Sequence, residues 1–146
     1  MEKHSTYAGD ISCQEAWGML KSDQPTVLID VRTRAEWAFV GGPVLNEVGS
    51  EPLLFEWQSF PTMERDPGFA GKVSQALSAR GTDEGTQLLF LCRSGVRSQA
   101  AAVAMTESGY RHCYNIAGGF EGPPDSEGHR GLTGGWKASG LPWAQS

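Results

Sequence analysis

Two short, continuously apolar segments are the clearest feature of the hydrophobic pattern. Residues 27–29 read Val-Leu-Ile, and residues 87–91 read Gln-Leu-Leu-Phe-Leu. An unbroken run of branched and aromatic side chains is typical of a parallel β-strand that is covered on both faces. A further strand is predicted from Tyr110 to Ile116, after Gly109. The pattern therefore predicts buried strands at 27–29, 87–91 and 110–116.

Segments with helical signals separate these strands. Ser12 with Glu15, and Thr33 with Glu36, have the capping-box spacing, in which each side chain binds the other residue's free amide. The pair Asp66-Pro67 predicts an N-cap followed by the first helical residue. Strands that alternate with helices predict an α/β fold with a parallel sheet and helices on both faces. The predicted helices are 12–20, 34–39, 67–80 and 98–108.

The length of 146 residues corresponds to one domain. Residues 1–10 are polar and are expected to form a flexible N-terminus, with a single domain over 11–146. Residues 43–66 show no sustained period and are expected to form a long, partly ordered connection. Eight of the 19 glycines lie between 118 and 140, where a polar segment over about 121–134 is interpreted as an insertion.

Charge and cysteine usage exclude several classes of protein. The chain has 12 basic and 17 acidic side chains, so it lacks the basic surface that nucleic acids and anionic membranes require. It contains no apolar run near the roughly 20 residues of a membrane span, and no signal peptide is visible, so a cytoplasmic location is expected. The three cysteines lack a C-x-x-C pair and the histidines are scattered. No disulfide framework, metal site or cofactor is therefore predicted.

The segment after the second apolar run carries the candidate chemistry. It reads Cys92-Arg93-Ser94-Gly95-Val96-Arg97-Ser98. A glycine-containing loop can turn its amide hydrogens inward, and the helix that follows adds the positive end of its dipole. The two arginines add full positive charges, and each of these effects favours a thiolate on the cysteine. We therefore interpret Cys92 as a nucleophile, and Cys13 and Cys113 as packing residues.

Taken together, these segments resemble a single-domain rhodanese, or rhodanese-like sulfurtransferase. The resemblance spans about residues 11–143, in the order of the family. The matching segments are 28–32 (LIDVR) followed by Glu36, 92–98 (CRSGVRS), 109–110 (GY), 114–116 (YNI), 118–120 (GGF), 135–136 (GW) and 140–143 (GLPW).

The resemblance implies a five-stranded parallel sheet and a sulfur transfer in two steps. Cys92 would take the sulfane sulfur of a small anionic donor such as thiosulfate. A thiophilic acceptor (cyanide, a thiol or a sulfur-accepting protein) would then remove it from the persulfide. The residues Arg93, Ser94, Gly95, Val96 and Arg97 would bind the donor and the persulfide. Supporting roles would fall to Asp30 and Arg32, with Glu36 pairing locally.

Two departures and two alternatives accompany this interpretation. The histidine that many members carry after the short helix is absent from Gly41-Gly42-Pro43-Val44, and the insertion separates Glu121 from Gly135. One alternative is a cysteine phosphatase or arsenate reductase on the same scaffold. Those relatives use a longer C-x5-R loop, whereas this chain has C-x4-R. The other alternative is a non-catalytic regulatory or interaction module, a class that often lacks the cysteine.

Overall fold

The parallel sheet that the sequence predicts is the centre of the structure. The computed structural model describes residues 7–59, 62, 64–83, 85–132 and 134–145. The five strands of its main sheet are β1 (Gly9–Ile11), β2 (Thr26–Asp30), β4 (Leu53–Leu54), β7 (Gln87–Leu91) and β8 (His112–Ile116). They lie in the order β1-β8-β7-β2-β4, and every neighbouring pair is parallel. The α/β prediction is therefore confirmed.

Helices cover both faces of this sheet. Alternate residues of a strand point to opposite faces, so Val27 and Ile29 pack on one side and Leu28 on the other. The first side is covered by α3 (Phe69–Ala79) and α4 (Val96–Glu107). The second side is covered by α1 (Cys13–Lys21) and α5 (Gly135–Ala138). The central strands are thus sealed from water, as their unbroken apolar runs require.

The remaining elements are short. Helix α2 (Arg34–Phe39) follows β2, and a single 3₁₀ turn spans Asn46–Val48. The antiparallel pair β3 (Gly42–Pro43) and β9 (Trp143–Ala144) ties the chain end to the segment after α2. A second small pair, β5 (Gln58–Ser59) and β6 (Glu64–Arg65), lies within the predicted long connection. No helix in the described ranges is long and apolar enough to cross a membrane.

The order of the strands determines where a cleft can form. The chain runs from β1 across to β2 and outward to β4, then returns to β7 and β8 on the other side of β2. Successive connections therefore diverge between β2 and β7, which are paired over their full length from Thr26 with Gln87 to Asp30 with Leu91. Ligands of open parallel sheets bind at such a switch point, beyond the carboxyl ends of the strands.

Several predicted boundaries are wrong. The sequence predicts a flexible N-terminus over 1–10, but Gly9 and Asp10 form β1 and pair with β8; residues 1–6 lie outside the described part of the chain. The strand predicted from Tyr110 starts at His112. The third helix starts at Phe69 rather than at position 67, because the Asp66 side chain accepts a hydrogen bond from Gly68 N–H and forms a turn before it. Helix α4 begins two residues before Ser98.

Candidate active site

Cys92 lies directly after β7, where the loop turns into α4. Its side chain is buried, and its sulfur accepts a hydrogen bond of 3.1 Å from Gly95 N–H. The sulfur also lies 3.1 Å from Ser98 Oγ, on the first turn of α4. A backbone N–H aimed at sulfur stabilises negative charge on it, so the loop provides part of the anion-binding geometry that its sequence predicts.

The loop keeps this shape because glycines let two chain segments come close together. Gly95 has φ +111°, and a Cβ there would lie 2.5 Å from the carbonyl oxygen of Ala117. The segment after β8 holds the other side of the loop: Phe120 N–H donates to the carbonyl of Cys92 at 2.8 Å, and Glu121 N–H to that of Arg93 at 3.0 Å. A side chain on Gly119 would collide with the Arg93 backbone. The glycine-rich segment after β8 is therefore a brace for the cysteine loop.

A cleft of about 720 Å³ opens above the sulfur of Cys92. This volume is within the roughly 300–1,000 Å³ that is usual for sites that bind organic ligands. All the predicted donor-binding residues except Gly95, whose N–H bonds the sulfur, line the cleft. Besides Cys92, the charged or polar lining side chains are those of Thr33, Glu36, Gln58, Arg93, Ser94, Arg97 and Glu121.

The two arginines of the loop have different surroundings. Arg97 donates two hydrogen bonds to Glu36, from Nη1 to Oε1 at 2.7 Å and from Nη2 to Oε2 at 2.9 Å. Arg93 is exposed, and no ion pair to it is found among the described residues. The expected local pairing of Glu36 is present, and the structure adds a second partner that the sequence did not indicate. The Glu36 carboxylate completes the capping box with Thr33 and also binds Arg97, 61 positions along the chain.

The ion pair changes the acidity of both partners. Burial alone would raise the pKa of Glu36, but the hydrogen bonds from Arg97 and from Thr33 N–H outweigh it and lower that pKa to about 2. Burial would lower the pKa of Arg97, but the Glu36 carboxylate outweighs burial and raises it. Both groups are therefore charged at neutral pH, and Arg97 faces the cleft as half of a neutral pair.

Asp30 and Arg32 form a second ion pair, below the wall of the cleft. Both side chains are fully buried, and Arg32 Nε and Nη2 donate to the two carboxylate oxygens at 2.9 and 2.6 Å. Arg32 Nη2 also donates to the carbonyl of Gly41 at 2.7 Å, and the guanidinium lies 4.4 Å from the ring centroid of Phe120. Neither residue lines the cleft. The pair contacts Phe120, which in turn bonds the Cys92 carbonyl.

The other two cysteines are packed in the core. Cys13 lies between α1 and the sheet, and Cys113 lies on the opposite face. Burial raises the pKa of each thiol to about 11, so both are thiols at neutral pH. Among the three cysteines, Cys92 alone lines the cleft above the loop.

The insertion predicted at about 121–134 is a loop that closes on its own base. Arg130 Nη1 donates to the Gly122 carbonyl at 2.7 Å, and Gly131 N–H donates to the Glu121 carbonyl at the same distance. The side chain of Asp125 accepts from two amides of the loop and folds its tip. Because Glu121 lines the cleft, the loop begins at the rim of the site.

Two polar residues beside Cys92 were not assigned a function from the sequence. Ser98 Oγ donates a hydrogen bond of 2.5 Å to Asn115 Oδ1, and both side chains are buried. The signal in the sequence that could have found them is a polar residue within a predicted strand or helix, at a position that is buried. Asn115 lies between Tyr114 and Ile116 in a predicted strand, and a polar side chain buried there is stable only with a hydrogen-bond partner.

Comparison with known proteins agrees with this geometry. Residues 12–122 match the rhodanese-like domain family. The crystal structure of Rv0390 from M. tuberculosis is 44% identical, with a TM-score of 0.84 over 96% of this chain and 99% of that one. An uncharacterized protein of Rickettsia rickettsii is 37% identical over 92% of this chain and 95% of its own length. The rhodanese-like domain-containing protein 4 of Arabidopsis thaliana chloroplasts is 28% identical over 92% of this chain and 25% of its own length.

These matches identify the class of protein. The chain belongs to the rhodanese-like domain family, as its motifs indicate, and the five-stranded parallel sheet is the one expected for that family. The matched range contains β2, the cysteine loop and the start of the glycine-rich segment after β8. It ends at Gly122, where the insertion begins.

Proposed function

We propose that this protein is a sulfurtransferase that moves sulfane sulfur from a donor such as thiosulfate to a thiophilic acceptor. The observation that carries the proposal is the position of Cys92. Its sulfur accepts Gly95 N–H at 3.1 Å and forms part of a cleft that also holds Arg93 and Arg97. A cysteine beside backbone donors and cationic side chains has the surroundings of a reactive thiolate.

The first half-reaction transfers one sulfur atom to the enzyme. The Cys92 thiolate attacks the sulfane sulfur of thiosulfate, a new S–S bond forms, and the S–S bond of the donor breaks. Sulfite leaves with the bonding electron pair. Arg93 attracts the anionic donor, since its charge is exposed and free of an ion pair within the described residues. The amides of Ser94, Gly95 and Val96 surround the transferred sulfur.

The second half-reaction returns the cysteine. Cyanide or the thiolate of an acceptor attacks the outer sulfur of the persulfide, and the electron pair of the broken S–S bond remains on Cys92. Thiocyanate or an acceptor persulfide leaves. The volume of the cleft supports an organic thiol, or a cysteine on a protein surface, as acceptor besides cyanide. Asp30 and Arg32 act as positioning residues, because they brace Phe120 and through it the loop.

The proposal is tested by following thiocyanate formation from thiosulfate and cyanide. Wild-type protein should turn over, and Cys92→Ser should not, with Cys13→Ser as the matched control. Intact-mass measurement after thiosulfate treatment should show one added sulfur atom, mapped to the peptide that contains Cys92. The proposal fails if several sulfane donors leave no persulfide on Cys92. Hydrolysis of an aryl phosphate or reduction of arsenate in its place would establish the alternative chemistry of this scaffold, and binding without either reaction would indicate an interaction module.

A further inference from the structure

A chain of hydrogen bonds leads from the sulfur of Cys92 to the protein surface. Cys92 Sγ contacts Ser98 Oγ at 3.1 Å, and Ser98 Oγ donates to Asn115 Oδ1 at 2.5 Å. Asn115 Nδ2 then donates to Asp10 Oδ1 at 3.0 Å. Asp10 and Asn115 are opposite each other in the pairing of β1 with β8, and α4 supplies the serine. The chain therefore connects three elements and reaches an exposed carboxylate, whose Oδ1 also accepts a hydrogen bond of 2.9 Å from the Tyr7 hydroxyl.

The carboxylate at the outer end determines which way every hydrogen in this chain points. An ionised carboxylate only accepts, so Asn115 must turn its Nδ2 toward Asp10 and its Oδ1 toward Ser98. An amide oxygen also only accepts, so the single hydroxyl hydrogen of Ser98 is directed to Asn115. Ser98 Oγ can then interact with Cys92 only as an acceptor. The partner that fits it is a protonated thiol, which donates S–H to Ser98.

We propose that Asp10 and Asn115 are positioning residues that hold the Ser98 hydroxyl as an acceptor and so favour the thiol form of Cys92. When Cys92 loses its proton to solvent through the cleft, the Ser98 hydroxyl must rotate to donate to the sulfur. That rotation breaks the bond to Asn115 and leaves a buried amide oxygen without its partner, which is unfavourable. The inference rests on the proposed function only in taking Cys92 as the nucleophile.

This effect opposes the other groups around Cys92. Gly95 N–H and the cations of Arg93 and Arg97 favour the thiolate, while Glu36 neutralises Arg97. The remaining charged groups facing the loop are Glu121 on the rim of the cleft and the Asp30–Arg32 pair beneath it. The Asp10 chain differs from all of these because it acts through hydrogen-bond direction. Its influence on Cys92 therefore requires the Ser98 hydroxyl, whereas a direct charge effect does not.

The substitution Asp10→Asn separates the two explanations. The asparagine side chain has both a donor and an acceptor, so the Asn115 amide can take either orientation. When Cys92 is a thiol, the hydrogen bonds keep the directions of the wild type. When Cys92 is a thiolate, the directions reverse, so that Asn115 Nδ2 donates to Ser98 Oγ and Ser98 Oγ donates to the sulfur. We expect the pH midpoint of Cys92 alkylation to fall by about 0.5–1 pH unit, the equivalent of about one net hydrogen bond.

The measurement is the rate of iodoacetamide alkylation of Cys92 against pH, quantified by peptide mass spectrometry. It is made for wild type, Asp10→Asn, Ser98→Ala and the double variant. The expected result is a lower midpoint in Asp10→Asn and no further shift from Asp10→Asn in the Ser98→Ala background. Asp10→Ala, which also frees the amide, should shift the midpoint in the same direction and replaces Asp10→Asn if that variant fails to fold.

Two results would overturn the inference. One is an unchanged or higher midpoint in the Asp10 variants with normal thermal unfolding. The other is a lower midpoint that persists undiminished in the Ser98→Ala background, because that result would assign the effect to charge alone. Neither depends on sulfur transfer, since alkylation needs no donor. Failure of the persulfide assay and failure of this one are therefore independent.

Discussion

Replacing Glu36 with glutamine removes the carboxylate that holds Arg97 in the wall of the cleft. The two bonds between them measure 2.7 and 2.9 Å, and the side chains are 18% and 15% exposed. The pKa of Glu36 falls from the ordinary value of 4.5 to about 2 in the folded protein. Fully realised, that difference would be worth roughly 3 kcal/mol. Solvent screening reduces it, and we expect Glu36→Gln to lose about 1–2 kcal/mol of unfolding free energy at neutral pH.

The loss should depend on pH in a defined direction. Glu36 has a folded-state pKa below its unfolded value, so its contribution is complete above about 4.5 and declines as the pH falls toward about 2. As the pH falls toward 2, Glu36 of the wild type takes up a proton and comes to resemble the neutral glutamine of the variant. The difference between wild type and Glu36→Gln should therefore shrink through this range.

Urea unfolding followed by tryptophan fluorescence, at neutral pH and near pH 2.5, measures this difference. The matched control is Asp66→Asn, which breaks the exposed ion pair of Asp66 with Lys72, where the lysine side chain is 60% exposed. That variant should lose much less stability at neutral pH, since exposed pairs contribute little. Equal losses for Glu36→Gln at both pH values would refute the assignment to an ionised pair, as would a loss no larger than that of the control.

Three further predictions concern the site. Arg97→Ala should raise the KM for thiosulfate, because it leaves the unpaired Glu36 carboxylate facing an anionic donor; Arg97→Ala with Glu36→Gln should recover part of the loss in steady-state assays. Gly95→Ala should lose thiocyanate formation and about 2 kcal/mol of stability by urea unfolding, because its Cβ would lie 2.5 Å from the Ala117 carbonyl at φ +111°. Serine variants of the buried cysteines should keep wild-type turnover, whereas Cys92→Ser should have none. The two variants in question are Cys13→Ser and Cys113→Ser, since both residues pack in the core away from the cleft.

The central strands and the cysteine loop were predictable because their signals are local. Val27 to Ile29 and the run before Cys92 are long enough and apolar enough to indicate strands covered on both faces, and the structure confirms both. The capping box of Ser12 with Glu15 fixes the start of α1 by hydrogen bonds three residues apart, and both bonds are present. Local chemistry and final structure agree at these positions.

The edge strand β1 and the strand β4 within the long connection were not predictable, because they depend on partners that are distant in the chain. Gly9 and Asp10 are poor strand formers, and they become a strand only by pairing with β8, more than 100 positions along the chain. β4 is two residues long and is defined by its register with Ile29 and Asp30. Such elements exist because the rest of the sheet offers them partners. Gly9 and Asp10 carry almost no strand signal of their own, and the apolar pair Leu53–Leu54 is too short to indicate one.

The sequence predicts the same donor-binding role for Arg93 and Arg97, because the contact that distinguishes them is not local. Their charges are identical, and the carboxylate that neutralises Arg97 is 61 positions away, in a helix whose capping box already accounts for Glu36. In the folded protein the exposed charge of Arg93 and the amides of the loop remain to attract an anion. Arg97 is fixed in place, so it shapes the wall beside Cys92 more than it adds to the positive field. Under the proposed function, recognition of the donor would therefore depend on Arg93 and the loop backbone, and Glu36 would set how much of the Arg97 charge the donor meets.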